Sequence, residues 1–198
     1  MSERGPAIAL FEFRSISAGI VAGDAMVKVA PLDAIYAGTV HPGNYLVLVS
    51  GDTASVDEAV RVGRSADALS DMVFLPDIDP TVIGAVTGNA LAATMGDEAL
   101  GIVETTTVAA AIDAADAGVK AAEVDLGAIR LADGLGGKGY VLFSGVVAEV
   151  EAALDAAAAR AEGHGTLVRS DLIAQLHGEM ADNLREDLHF LSRVSGGE

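Results

Sequence analysis

A chain of 198 residues and 20.0 kDa holds one large domain or two of about 90 to 100 residues each. Its 12 Lys and Arg stand against 29 Asp and Glu, a formal charge of −17, so phosphate backbones and anionic membrane surfaces are repelled and neither is expected as a partner. Hydrophobic residues make up 51% but aromatics only 4%, with no Trp and no Cys: the core must come from Ala, Val, Leu and Ile, and disulfides, thiolate nucleophiles and Cys-held clusters are excluded.

The N-terminal stretch carries Glu3 and Glu12 and has neither the basic start nor the long apolar run of a signal peptide. No apolar run approaches the ~18 residues of a membrane helix. A soluble, cytoplasmic protein is expected.

In chain order, the apolar run 7–13 predicts a buried strand, and a helix over about 17–30 follows, with Ser15 or Ser17 to cap it and Pro31 to end it. Strands are predicted at 32–39 and 45–50. Val56, Ala59, Val60 and Gly63 then fall at i, i+3, i+4 and i+7, one small-residue face of a second helix, and a short strand at 72–75 closes the unit. The chain then repeats itself. Ile20, Ala22, Asp24, Ala25, Val27 and Lys28 recur 92 residues later as Ile112, Ala114, Asp116, Ala117, Val119 and Lys120, and Glu12 and Glu104 share that offset. Val47, Leu48, Ser50, Gly51, Ala54, Val56 and Ala59 recur at an offset of 94, so two residues are inserted in the second copy between Lys120 and Gly145.

The second copy predicts strands at 99–105, 124–132, 140–144 and 166–172, a helix over about 108–122 capped by Thr107, and a helix with Val150, Ala153, Leu154 and Ala157 on its inner face. The domains are therefore 1–94 and 95–198, each in the β-α-β-β-α-β order of a ferredoxin-like α+β fold. Beyond the repeat, Leu176, Met180, Leu184 and Leu188 recur every four residues and predict a C-terminal helix with one apolar stripe. It either packs back on the body or docks a partner, and 195–198 has the composition of a frayed tail.

Chemistry is hard to find. The loop Gly134-Leu135-Gly136-Gly137-Lys138-Gly139 matches GxGxxG, but it leads into the strand-like Tyr140-Val141-Leu142-Phe143 rather than a helix. It also lacks the first Gly and the Ser or Thr of a P-loop, and reads as a tight β-turn. His41, His164, His177 and His189 form no metal-ligand spacing, and no GxSxG is present. Asp24/Lys28 and Asp116/Lys120 are i, i+4 pairs. No catalytic constellation emerges, and the chain is not expected to be an enzyme. His41-Pro42-Gly43, at the tip of the first copy's corresponding loop, holds one His on a rigid turn.

The repeated block — a strand ending in Glu, xDAxVKxA, a β-turn, then VxxSG and AxVxxA — resembles the bacterial microcompartment shell domain over about 7–80 and 97–180. Two copies in one chain resemble the tandem-domain, trimer-forming shell proteins. Thr39-Val40-His41-Pro42-Gly43, Gly101-Ile102-Val103-Glu104-Thr105 and Gly134-Leu135-Gly136-Gly137-Lys138 are similar to the propanediol-utilisation branch that carries an iron–sulfur cluster. The resemblance implies two tandem, permuted ferredoxin-like domains and a homotrimer imitating a hexamer. It implies a tile that assembles with other shell proteins around encapsulated enzymes and passes small polar metabolites.

Three-fold closure would bring His41, Pro42, Gly43 and Asn44 with Leu135, Gly136, Gly137 and Lys138 to a central pore. Lys28 and Lys120 would lie at the tile edge. The Cys that holds the cluster in that branch is His41 here, so an iron–sulfur cluster is not expected. Three imidazoles suit a borderline metal such as Zn, Ni or Fe, which makes an axial His41-bound metal with a redox role the alternative. A ferredoxin-like small-molecule regulator or enzyme is a further one. The basic-Pro-His segment of the family is eroded to Asp77-Ile78-Asp79-Pro80 in copy one and Ala174-Gln175-Leu176-His177 in copy two.

Overall fold

The computed structural model describes residues 6–87 and 99–185. The first copy runs β1 (Ala7–Phe13), α1 (Ile16–Val29), β2 (Ala34–Val40), β3 (Asn44–Gly51), α2 (Thr53–Arg64), β4 (Leu69–Leu75) and α3 (Pro80–Val86). The second runs β5 (Ala99–Thr105), α4 (Val108–Ala121), β6 (Asp125–Leu131), β7 (Gly139–Gly145), α5 (Val147–Gly163), β8 (Leu167–Ile173) and α6 (Gly178–Arg185). The sheets have matching orders, β2-β3-β1-β4 and β6-β7-β5-β8. The boundary at 94/95, Leu188 and the 195–198 tail lie outside the described residues.

Local chemistry sets the elements. Ser15, not Ser17, caps α1 by accepting from the Ala18 amide, and Thr107 caps α4 through Ala110 in the same way. Ala30 is extended ahead of Pro31, as the residue before a proline must be, and α1 stops there. One face of the first sheet packs Ala9, Phe11, Phe13, Val47 and Val49 on Ala22 and Met26 of α1 and on Val56, Ala59 and Val60 of α2. A Cβ at Gly63 would lie 2.3 Å from the Phe11 ring, so the absence of a side chain sets how closely α2 approaches the sheet.

The other face of that sheet is also covered. Ile8, Leu10, Leu48, Val73 and Leu75, with Ile78 and Val82 at α3, form one core with Val108, Ala109 and Ile112 of α4, so the two copies share a hydrophobic core. The matching face of the second sheet, Leu100 and Leu142, is covered by Leu176 and Ala181.

Two expectations need correction. Met180 is exposed and Ala181 points inward, because the turn of a helix is 3.6 residues and a stripe counted in fours drifts around it. And 77–80 is not merely an eroded segment. Asp79 accepts from the Thr81 amide at 2.8 Å and Pro80 opens α3, a helix the sequence reading did not predict.

Candidate functional site

The turns that carry the candidate pore residues are hairpin tips, β2–β3 and β6–β7. Gly43, Gly136 and Gly137 hold φ of 112°, 65° and 90°, the left-handed region that a side chain resists. Ala132 accepts that region as well, at φ 54°. The glycine loop is thus the tight turn its sequence indicates, running directly into β7.

The structure brings the tips together. The His41 amide donates to Asp133 Oδ1 at 3.2 Å, and His41 Nδ1 lies 3.3 Å from the same oxygen. A Cβ at Gly137 would sit 3.1 Å from Pro42 Cδ. His41, Pro42 and Gly43 are exposed and Asn44 half-buried; Leu135 is half-buried, Gly136 and Lys138 exposed, Gly137 buried. Lys138 Nζ donates to Glu104 Oε1 at 2.7 Å. Asp133 is the residue that sequence reasoning missed here. The signal lay in the repeat, since Asp133 stands 92 residues after His41, at the same place in its copy.

Lys28 and Lys120 part company. Lys28 pairs with Asp24 on the open surface. Lys120 pairs with Asp116 at 2.7 Å and also donates to the Asp77 carbonyl of the other copy. Asp116 in turn accepts from the Asp79 amide at 2.8 Å.

Between the copies lies a buried polar joint. Glu12 Oε1 accepts from the Ala109 amide at 2.6 Å, at the free-amide end of α4. Opposite Glu12 in register is Asp71, whose Oδ2 accepts from Thr107 Oγ1 at 2.5 Å. Burial pushes the Glu12 carboxyl up to about 7; the α4 amides pull it down, and the Asp71 charge pushes it further up. Asp113, also buried, accepts from Arg160 Nη2 at 2.7 Å, and His164 Nε2 lies 3.8 Å away. Glu12 was noted in the sequence only as a repeated residue, and Asp71 and Asp113 were not singled out, because among twenty-nine acidic residues nothing local marks the ones another repeat will cover.

A family profile described as the BMC domain matches residues 7–76 and again 99–176. This chain belongs to the family of bacterial microcompartment shell proteins.

The shell protein is 39% identical over 176 residues, 88% of its length and 95% of the other's, to the bacterial microcompartment shell protein PduT of Citrobacter freundii. It is 41% identical over 85 residues, 43% of this chain and 86% of the other, to the shell protein EutM of Salmonella typhimurium. Among solved structures it superposes on a microcompartment protein from Desulfitobacterium hafniense DCB with a TM-score of 0.78 and 39% identity, covering 90% of this chain and 99% of that one. It shares a fold, at a TM-score of 0.56 and 23% identity over 79% of this chain and 84% of that one, with a fused permuted hexameric shell protein of the RMM microcompartment. The shell protein is therefore a tandem BMC-domain α+β chain with a structural role in the shell of a bacterial microcompartment, where it assembles with other shell proteins. Nothing in these comparisons supports the regulator or redox alternatives.

No helix among the described residues is long and apolar enough to cross a membrane. The iron–sulfur group implied by the resemblance to the propanediol-utilisation branch does not fit: the chain holds no Cys, and among the described residues of one chain no three His, Asp or Glu gather as a metal site.

Proposed function

We propose that the shell protein works as a homotrimeric tile, a pseudo-hexameric ring of tandem chains enclosing encapsulated enzymes. Its central pore, lined by His41–Asn44 and Leu135–Lys138, passes small polar metabolites. The contact between His41 and Asp133 carries the reading. They hold the same place in the two copies, and two points related by a rotation lie close together only near its axis. The hairpin tips thus belong at the centre of whatever ring the copies build.

The joint between the copies supports a ring. Its contacts join unlike residues, Glu12 to Ala109 and Lys120 to Asp77, so the association is head-to-tail. Head-to-tail contacts leave one free surface of each kind and close into rings when the rotation permits. Lys28 and Lys120 serve as contacts at the tile edge. The work is packing and permeation, with no bond made or broken and no cofactor, and Asp133 orients His41 as part of a polar constriction.

Native mass of the protein purified without added metal is the test, with about three times 20.0 kDa expected. A monomer or dimer overturns the tile, and mass in excess that elemental analysis identifies as metal replaces the empty pore with a metal-bearing axis. His41→Ala is expected to keep the trimer and alter the flux of a small polar probe across assembled shells. Lys28→Ala with Lys120→Ala is expected to keep the trimer and abolish sheets in electron micrographs.

A further inference from the structure

We propose that the open groove between α1 and α2 is the seat of β8 from a second copy of this chain, with Arg169 of that strand set against Asp67. The inference rests on the ring reading and adds the contact that closes it.

Two grooves at matching places carry the argument. In the second copy Ala109, Ala110 and Asp113 of α4, with His164 after α5, form a groove that Asp71, Met72 and Val73 of β4 fill, leaving a cavity of about 20 Å³. In the first copy the matching residues Ser17, Ala18 and Val21 of α1, with Ala66 after α2, line a groove of about 520 Å³ that stands open. Exposure divides the same way. Val108 and Ile112 are fully buried, whereas Ile16 and Ile20, at the same places on α1, are 42% and 52% exposed. Val21, in the place of buried Asp113, is 67% exposed. Three large apolar side chains in water on one stretch of helix mark a surface that another molecule covers.

Register identifies the strand that covers it. Glu12 lies opposite Asp71 and Leu10 opposite Val73; Glu104 lies opposite Arg169 and Ile102 opposite Asp171. Arg169, Ser170 and Asp171 therefore hold, on β8, the places of the three β4 residues that fill the closed groove. They lie on the outer strand of the second sheet, where Arg169 is exposed and paired with Asp171 of its own strand, Nη2 to Oδ1 at 2.8 Å, and that strand is placed to do the same for a neighbouring chain.

The charges are exchanged between the two joints. In the closed groove Asp71 lines the same cavity as His164, while Arg160 is held by Asp113. In the open groove the charged lining residue is Asp67, beside the carbonyl end of α2, and the arriving strand brings Arg169. A cation is favoured there by the carboxylate and by the helix dipole. β4 in the open groove would set Asp71 against Asp67. Like charges thus disfavour a first copy on the first copy of the next chain and leave the second copy as its partner.

The test uses the full chain, with oligomeric state followed by native mass and sedimentation over a dilution series and the fold checked by circular dichroism. R169D and D67R are each expected to raise the half-dissociation concentration about tenfold or more with an unchanged spectrum. The R169D/D67R pair is expected to return it to within about threefold of wild type. Unaltered dissociation of R169D, or a pair no better than the singles, overturns the ion pair. A wild-type chain that is monomeric throughout overturns the ring reading itself. In a chain with no other cysteine, Val21→Cys with Ser170→Cys is expected to link chains into covalent dimers and trimers on oxidation. Oxidised chains that stay single overturn the seating of β8.

Discussion

Glu12 and Glu104 occupy the same place in the two sheets, yet Glu12 is buried under the first turn of α4 while Glu104 pairs with Lys138 nearer the surface. Their partners across the strand differ in sign as well, Asp71 for one and Arg169 for the other. The first copy has its outer sheet face covered by the second copy, and the second copy has no further copy in the same chain to cover its own. Identical ancestry has therefore diverged according to what lies on top. The joint made within the chain tolerates a carboxylate pushed towards neutrality. The second copy, with only its own Leu176 and Ala181 over that face, keeps its charges in balanced pairs that water can solvate, Glu104 with Lys138 and Arg169 with Asp171.

The sharpest way to break this comparison is to place the same charge at the same position in each copy. Ile112→Asp buries an unpaired carboxylate in the shared core and is expected to cost about 4 kcal/mol or more, visible as loss of the cooperative urea transition. Ile20→Asp is expected to leave the folding of the single chain within about 0.5 kcal/mol of wild type while blocking its association. Equal damage to folding by both would show that the copies are equally buried in the isolated chain.

A smaller effect separates the two glutamates. The folded-state pKa of Glu12 lies above its unfolded value of 4.5, so the native chain holds the extra proton. Its contribution to stability is therefore full below pH 4.5 and is lost as pH rises to about 7. Glu12→Gln is expected to raise stability by roughly 2 kcal/mol at pH 8 and by almost nothing at pH 4. Glu104→Gln, removing a pair open to solvent, is expected to shift it by less than about 0.5 kcal/mol at either pH. Urea midpoints at the two pH values measure both. A Glu12→Gln gain that does not depend on pH would mean that the α4 amides already hold the carboxyl ionised at no cost, against the Asp71 charge. The lysines differ in the same sense: Lys120→Ala is expected to lose its bridge to Asp77 and about 1 kcal/mol, and Lys28→Ala a few tenths, read as shifts in melting temperature.

Much of this was legible in the residues because each repeat checks the other. The strands at 7–13 and 99–105, the cap at Thr107 and the buried faces of α2 and α5 follow from local pattern, and the duplication made them doubly visible. The tips were readable as turns from Pro42, Gly43 and the glycines at 134–137. What could not be read was decided at long range. Glu12 looked like the polar end of an apolar strand, and its burial depends on a helix 97 residues away. Asp116 had the look of an ordinary helix-surface acid paired with Lys120, yet it accepts from the Asp79 amide of the other copy. The Asp79-Pro80 pair did carry a local helix-start signal, missed because it was judged as a damaged edge motif. Asp133 beside His41 was recoverable only by asking which equivalent residues would meet.

The core that runs unbroken from the first sheet into α4 also bears on how assembly responds to dilution. Single-domain subunits arranged in such a ring would all have to find one another in solution. In the proposed trimer, covalent linkage would make half of the contacts unimolecular, with an effective concentration that dilution cannot lower. Fusion thus reduces the reaction order of ring formation, and the remaining contacts are the ones through which expression level can govern when the tile forms.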